Sequence, residues 1–75
     1  MKLWDLKPGQ SAVITEISEV PSVIKPKVKN LGIQNNEQIS CLKWSPFGGP
    51  RVFHLENGIF ALEKDIAGFV EVKIL

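Results

Sequence analysis

The chain has 75 residues, 44% of them hydrophobic and 23% charged, and a formal net charge of +1. That length holds one core and one domain, residues 1–75, and the composition is that of a folded protein rather than a disordered one. The single cysteine, Cys41, excludes an internal disulfide and fits a reducing, cytoplasmic setting, while the longest aliphatic or aromatic run, residues 59–62, is far too short for a membrane helix.

From the N-terminus, Leu3 to Leu6 is expected to make a single turn. Lys7-Pro8-Gly9-Gln10 reads as a β-turn, because proline presets φ and glycine accepts positive φ. This early proline and glycine also break any apolar run that a secretory signal would need. The β-branched stretch 11–17 predicts the first strand, with Ala12 and Ile14 on one face and a bulge bringing Ile17 inward. Pro21 and Pro26 exclude a long helix over 18–25, but Pro26 suits the first position of a short helix over 26–31 that Gly32 terminates. In that helix Val28 and Leu31 share a side, leaving Lys27 and Lys29 outward.

After a turn at 34–37, residues 38–44 predict a second strand, with Ile39 and Cys41 on one face and Leu42 and Trp44 on the other. Pro46, Phe47, Gly48, Gly49 and Pro50 interrupt it. Residues 51–56 predict the third strand, Asn57-Gly58 a hairpin turn and residues 59–62 the fourth strand. One helical turn follows over 63–67, and residues 69–74 predict a fifth strand with Val70, Val72 and Ile74 inward. The fold class is therefore all-β with one or two short helical turns. Five short strands predict a small closed or nearly closed barrel, which hides strand edges. Its expected core is Ile14, Ile39, Cys41, Leu55, Leu62, Val70 and Val72.

Charge is uneven along the chain. Lys25, Lys27, Lys29, Lys43 and Arg51 face only Glu37 between residues 22 and 51, whereas the segments on either side are net acidic. A basic middle suits an acidic protein surface, phosphate or an anionic membrane leaflet, or is simply a solvated face.

In chain order, Leu6-Lys7-Pro8-Gly9, Leu31-Gly32-Ile33, Pro46-Phe47-Gly48-Gly49-Pro50, Ala61-Leu62 and Ala67 with Val70 and Val72 make a pattern that resembles the FeoA (ferrous-iron transport protein A) family. The resemblance covers nearly the whole chain, and its most specific piece is the Pro-x-Gly-Gly-Pro loop. It implies a five-stranded SH3-like barrel acting in the cytoplasm on FeoB, a membrane-bound ferrous-iron transporter with a cytosolic GTP-binding part. This chain departs from the pattern in its short helix, where Lys27 and Lys29 stand in for the family's arginines, and at Asn35-Asn36, where the family usually has Pro-Gly.

Catalysis is not expected, since nucleophile–base chemistry needs groups within hydrogen-bond reach and the chain holds one Cys, one His and no Tyr. If Ser45 pairs with Arg51, then Leu42 lies opposite His54 and Cys41 opposite Leu55. Thiol and imidazole then point to opposite faces, leaving neither a Cys41–His54 dyad nor a metal site with the usual three or four ligands. No cofactor is expected, and Gly48-Gly49 lacks the Lys-Ser or Lys-Thr of a phosphate-binding P-loop.

The expected partner surface is the 46–50 loop, held by two prolines, with Lys27 and Lys29 as secondary contributors. Phe47 at its tip is either a partner anchor or a ring folded back over the barrel end. Trp44 and Trp4 are each either an anchor or packing. The partner implied is an FeoB-type transporter, with no nucleic acid, membrane contact only through that partner, and a monomeric chain. Two alternative readings are a regulatory SH3-like domain related to those of metal-dependent repressors and a small nucleic-acid-binding barrel.

Overall fold

Alternation of apolar residues decides where the strands run. The computed structural model describes all residues 1–75, with β1 at Ser11–Glu16, β2 at Gln38–Trp44, β3 at Arg51–Leu55, β4 at Gly58–Leu62 and β5 at Glu71–Ile74. Two short helices, α1 at Lys25–Asn30 and α2 at Lys64–Ala67, and 3-10 turns at Leu3–Asp5 and Pro46–Gly48 complete it. No helix is long and apolar enough to cross a membrane.

Helix α1 begins with Pro26 in its first turn and stops where Gly32 takes φ +80. The Ile33 amide then donates back to the Val28 carbonyl at 3.1 Å, and both side chains are buried, so the stop signal also docks the helix. A side chain at position 32 would collide with the Asn57 amide as well as strain the backbone.

The strands form one antiparallel sheet in the order β4-β3-β2-β1-β5. Its two outer strands make no ladder with each other. Bulges interrupt β1 between Ile14 and Glu16 and β2 between Cys41 and Lys43. The first leaves Ile17 half-buried against the core, as its sequence position suggested. The second sets aside Leu42 as an extra, exposed residue.

Sixteen residues are buried, all of them nonpolar and forming one cluster, and no buried side-chain polar atom lacks a partner. All seven residues of the expected core belong to it. The cluster also takes Leu3, Leu6, Val20, Ile33, Phe53, Ile66 and Ala67, and the inward-facing Ala12 and Val28. Phe53 is its largest fully buried side chain.

Three expectations are corrected. Ile74 shares the inward face of β5 by alternation but sits at its last rung and is 44% exposed. The β3–β4 turn falls on Glu56 and Asn57, because Leu55 pairs with Gly58, whose φ of +144 only glycine accepts readily. The β2–β3 register also differs: Trp44 faces Arg51, Cys41 faces Phe53, and Ser40 faces His54. The shift is one residue at the turn and two beyond the bulge, and a shift of two keeps every side chain on its face. Cys41 is accordingly buried and His54 exposed.

Candidate partner-binding site

The β2–β3 hairpin carries the loop singled out in the sequence. Phe47 and Gly48 are the central residues of its turn, at φ +60 and +72, and the Gly49 amide donates to the Pro46 carbonyl at 3.3 Å. Below them the Ser45 amide donates to the Pro50 carbonyl at 3.3 Å. Positive φ at both central positions is the mirror-image turn that matches strand twist, and Asn-Gly is its usual sequence. A bulky Phe in that conformation is strained by about 1–2 kcal/mol.

The Phe47 ring is fully exposed, at 105% of its reference area. Of the two sequence-level possibilities, folding back over a barrel end is therefore overturned: a tight turn with positive φ aims the side chain away from the sheet. The loop is short, tied by two prolines and hydrogen-bonded across, so it presents an apolar ring with little conformational freedom left to lose.

At the base of the loop, on the first rung of the strands below it, the Arg51 guanidinium lies between two indoles, 4.0 Å from the centre of the Trp4 ring and 3.9 Å from that of Trp44. Arg51 also donates to the Trp4 carbonyl, and the Trp44 indole N–H donates to the Leu6 carbonyl at 2.9 Å. Both tryptophans thus join the hairpin to the N-terminal segment. Trp44 keeps 38% of its surface exposed, so its ring remains reachable beside the loop while its polar end is committed. Sequence reasoning missed Arg51, because the one-residue register error hid its pairing with Trp44.

The lysines of α1 divide. Lys27 and Lys29 are both exposed, but two residues apart on a helix they do not face one way. Lys29 instead joins Lys25, one helical turn away, on the rim of a groove whose apolar floor is Ile17, Val20, Val28 and Ile33. No carboxylate forms an ion pair with Lys25, Lys27 or Lys29. The ion pairs of the protein gather instead around the N-terminus, where Glu71 bridges Lys2 at 2.8 Å and the terminal amine at 3.3 Å.

His54 lines a polar hollow with Glu37, Gln38, Ser40 and Glu56. No group of three or more His, Cys, Asp or Glu side chains is arranged to hold a metal ion. Burial pushes the Cys41 thiol above its ordinary range, the opposite of what a reactive thiolate needs. Neither group is in a position to begin covalent chemistry with the other.

A family model described as the FeoA domain matches residues 1–74. Among solved structures, iron(II) transport protein A from Clostridium thermocellum is 32% identical and superposes with a TM-score of 0.92 over 100% of this chain, which spans 46% of that longer one. FeoA from Stenotrophomonas maltophilia, solved with zinc and described as a prokaryotic SH3 domain protein, is 25% identical with a TM-score of 0.82, covering 97% of this chain and 89% of that one. A manganese-dependent transcriptional repressor superposes at a TM-score of 0.89 with 19% identity over 99% of this chain and 40% of its own, a likeness of fold alone. No curated protein matches by sequence.

Proposed function

The chain belongs to the FeoA domain family, and on that premise we propose that it is a non-catalytic accessory module of ferrous-iron uptake. In this reading it works in the cytoplasm by docking on the GTP-binding part of an FeoB-type transporter. The observation that carries the docking surface is Phe47: an apolar ring fully exposed on a strained, doubly proline-flanked turn. Exposure and strain are both unfavourable to the isolated domain, and an interface removes the first of them. Rigidity lowers the ordering cost of association, and the adjacent Trp44 ring extends the apolar contact. Lys27 and Lys29 supply positive charge on α1, which steers encounter with an acidic face more than it adds affinity.

The test is binding of the Phe47→Ser variant to the transporter's cytosolic domain. Loss of an anchor weakens binding by about 2 kcal/mol, roughly thirtyfold, while the melting temperature stays within a few degrees of wild type. Unchanged binding at several salt concentrations removes the loop from the interface. A regulatory role of the repressor-domain kind rests on likeness of fold alone, and it predicts no affinity for a GTP-binding domain.

A further inference from the structure

We propose that the groove beside α1 is a second docking site, and that its occupant is an acidic amphipathic helix of a partner protein. A bulky aliphatic side chain of that helix sits on the apolar floor, and two carboxylates one turn apart meet Lys25 and Lys29. The groove opens where the core reaches the surface. Val20, Val28 and Ile33, all core residues, lie at its bottom with the half-buried Ile17, under a hollow of about 310 Å³. No residue of the 46–50 loop lines it.

Charge decides what the groove receives. The two charged residues that line it are both cations, and neither forms an ion pair within the chain. The acids closest in sequence are engaged elsewhere. Glu16 accepts the Ile17 and Ser18 amides at 3.0 Å, Glu19 pairs with Lys2 at 3.1 Å, and Glu37 accepts from the Gln34 side-chain amide at 3.2 Å. The rim therefore holds two positive charges that nothing in the fold neutralises, directly above an apolar floor. Its complement carries both an apolar side chain and negative charge.

Spacing selects a helix. Lys25 and Lys29 stand four apart on α1, so their side chains rise from one face with their bases about 5–6 Å apart. Two carboxylates at the same spacing on a facing helix match them in register, and a Leu, Ile or Phe between them points at the floor. The lysine stems add apolar wall to the hollow while their charged heads stay in water. Other occupants match fewer of these features. The floor lies below the rim, so it receives a protruding side chain and cannot insert into a bilayer. It holds no aromatic ring on which a nucleobase could stack. A free fatty acid brings one carboxylate to two lysines. A second copy supplies no match, since α1 has no carboxylate and α2 only Asp65.

The probes are two synthetic helical peptides of about 16 residues with the same leucine stripe, one carrying a pair of Glu four residues apart beside it and the other a pair of Lys. Titration of the intact chain to about 1 mM peptide, followed by amide shifts, suits a contact this small. The expected result is saturation by the acidic peptide alone, with shifts centred on Ile17, Val20, Val28 and Ile33. Lys25→Glu combined with Lys29→Glu should weaken that binding about tenfold or more and confer binding of the basic peptide. Both lysines are exposed, and circular dichroism verifies that the variant is folded. Phe47→Ser should leave the acidic peptide's affinity unchanged, so the groove stands or falls separately from the 46–50 loop. No saturation, equal binding of the two peptides, or shifts centred outside the groove overturns the proposal. So does lysine-dependent binding to phosphatidylglycerol vesicles in place of the peptide.

Discussion

The base and the tip of the β2–β3 loop put aromatic residues to opposite uses. At the base, Trp44 is hydrogen-bonded, stacked on Arg51 and tied through it to Trp4. At the tip, Phe47 touches solvent on every side and sits in a backbone conformation that disfavours it. The base therefore carries stability, and the tip is the part proposed for recognition. Strain at a tip is tolerated because the base holds the hairpin whether or not the turn is relaxed.

The largest effect expected from breaking this division is at the base. Arg51→Ala removes two cation–π contacts and a charged hydrogen bond to the Trp4 carbonyl, a loss of about 2–3 kcal/mol. In a domain of this size that lowers the melting temperature by roughly 10–20 °C. Arg51→Lys should recover little of it, because an ammonium cannot stack flat between two rings. Thermal unfolding followed by tryptophan fluorescence measures both. A loss below about 0.5 kcal/mol would show that the stack is ornament to a hairpin held elsewhere.

At the tip the signs reverse. Phe47→Gly frees the turn from positive-φ strain and should stabilise the domain by up to about 1 kcal/mol, although the added freedom of the unfolded chain offsets part of that gain. The same substitution should weaken partner binding as Phe47→Ser does, so that stability and affinity move in opposite directions. Chemical denaturation and binding measured on one sample decide the point. Tip variants that lose stability would collapse the distinction between the two ends.

The smallest effect concerns the segment that supplies Trp4 to the base. Glu71 lies below its ordinary pKa of 4.5, first through its hydrogen bond from Lys2 and then through the one from the terminal amine. Lys2 is raised above 10.5, chiefly by Glu71 and next by Glu19. A depressed carboxyl stabilises the fold fully above its unfolded value and loses that contribution as the pH falls through the folded one. A raised lysine stabilises fully below its unfolded value and loses its contribution as the pH climbs past the folded one. These exposed pairs should therefore tighten the N-terminal segment between the two limits. Glu71→Gln should flatten the acid limb of the stability profile below pH 4.5 and leave partner binding through the tip unchanged. An unaltered acid limb would assign the N-terminal anchor to its backbone hydrogen bonds alone.

Much of this architecture is legible without coordinates. Period-two alternation places Ile14, Ile39, Cys41, Leu55, Leu62, Val70 and Val72 in the core, because a strand with one buried face has no other way to arrange its apolar side chains. Pro26 and Gly32 bound the short helix, since each acts through its own backbone. What depends on pairing was out of reach. The bulge at Leu42, the Trp44–Arg51 register and the Trp4–Arg51–Trp44 stack arise from which residues meet across strands, and local propensity carries no record of that. The same is true of the lysines: their count is in the sequence, but only the helix geometry parts Lys27 from Lys29 and joins Lys29 to Lys25 over an apolar groove. Phe47 shows the boundary most plainly. Its position in a rigid loop was readable, but the direction of its ring followed from a positive φ that the register imposed, and that direction decides between packing and recognition.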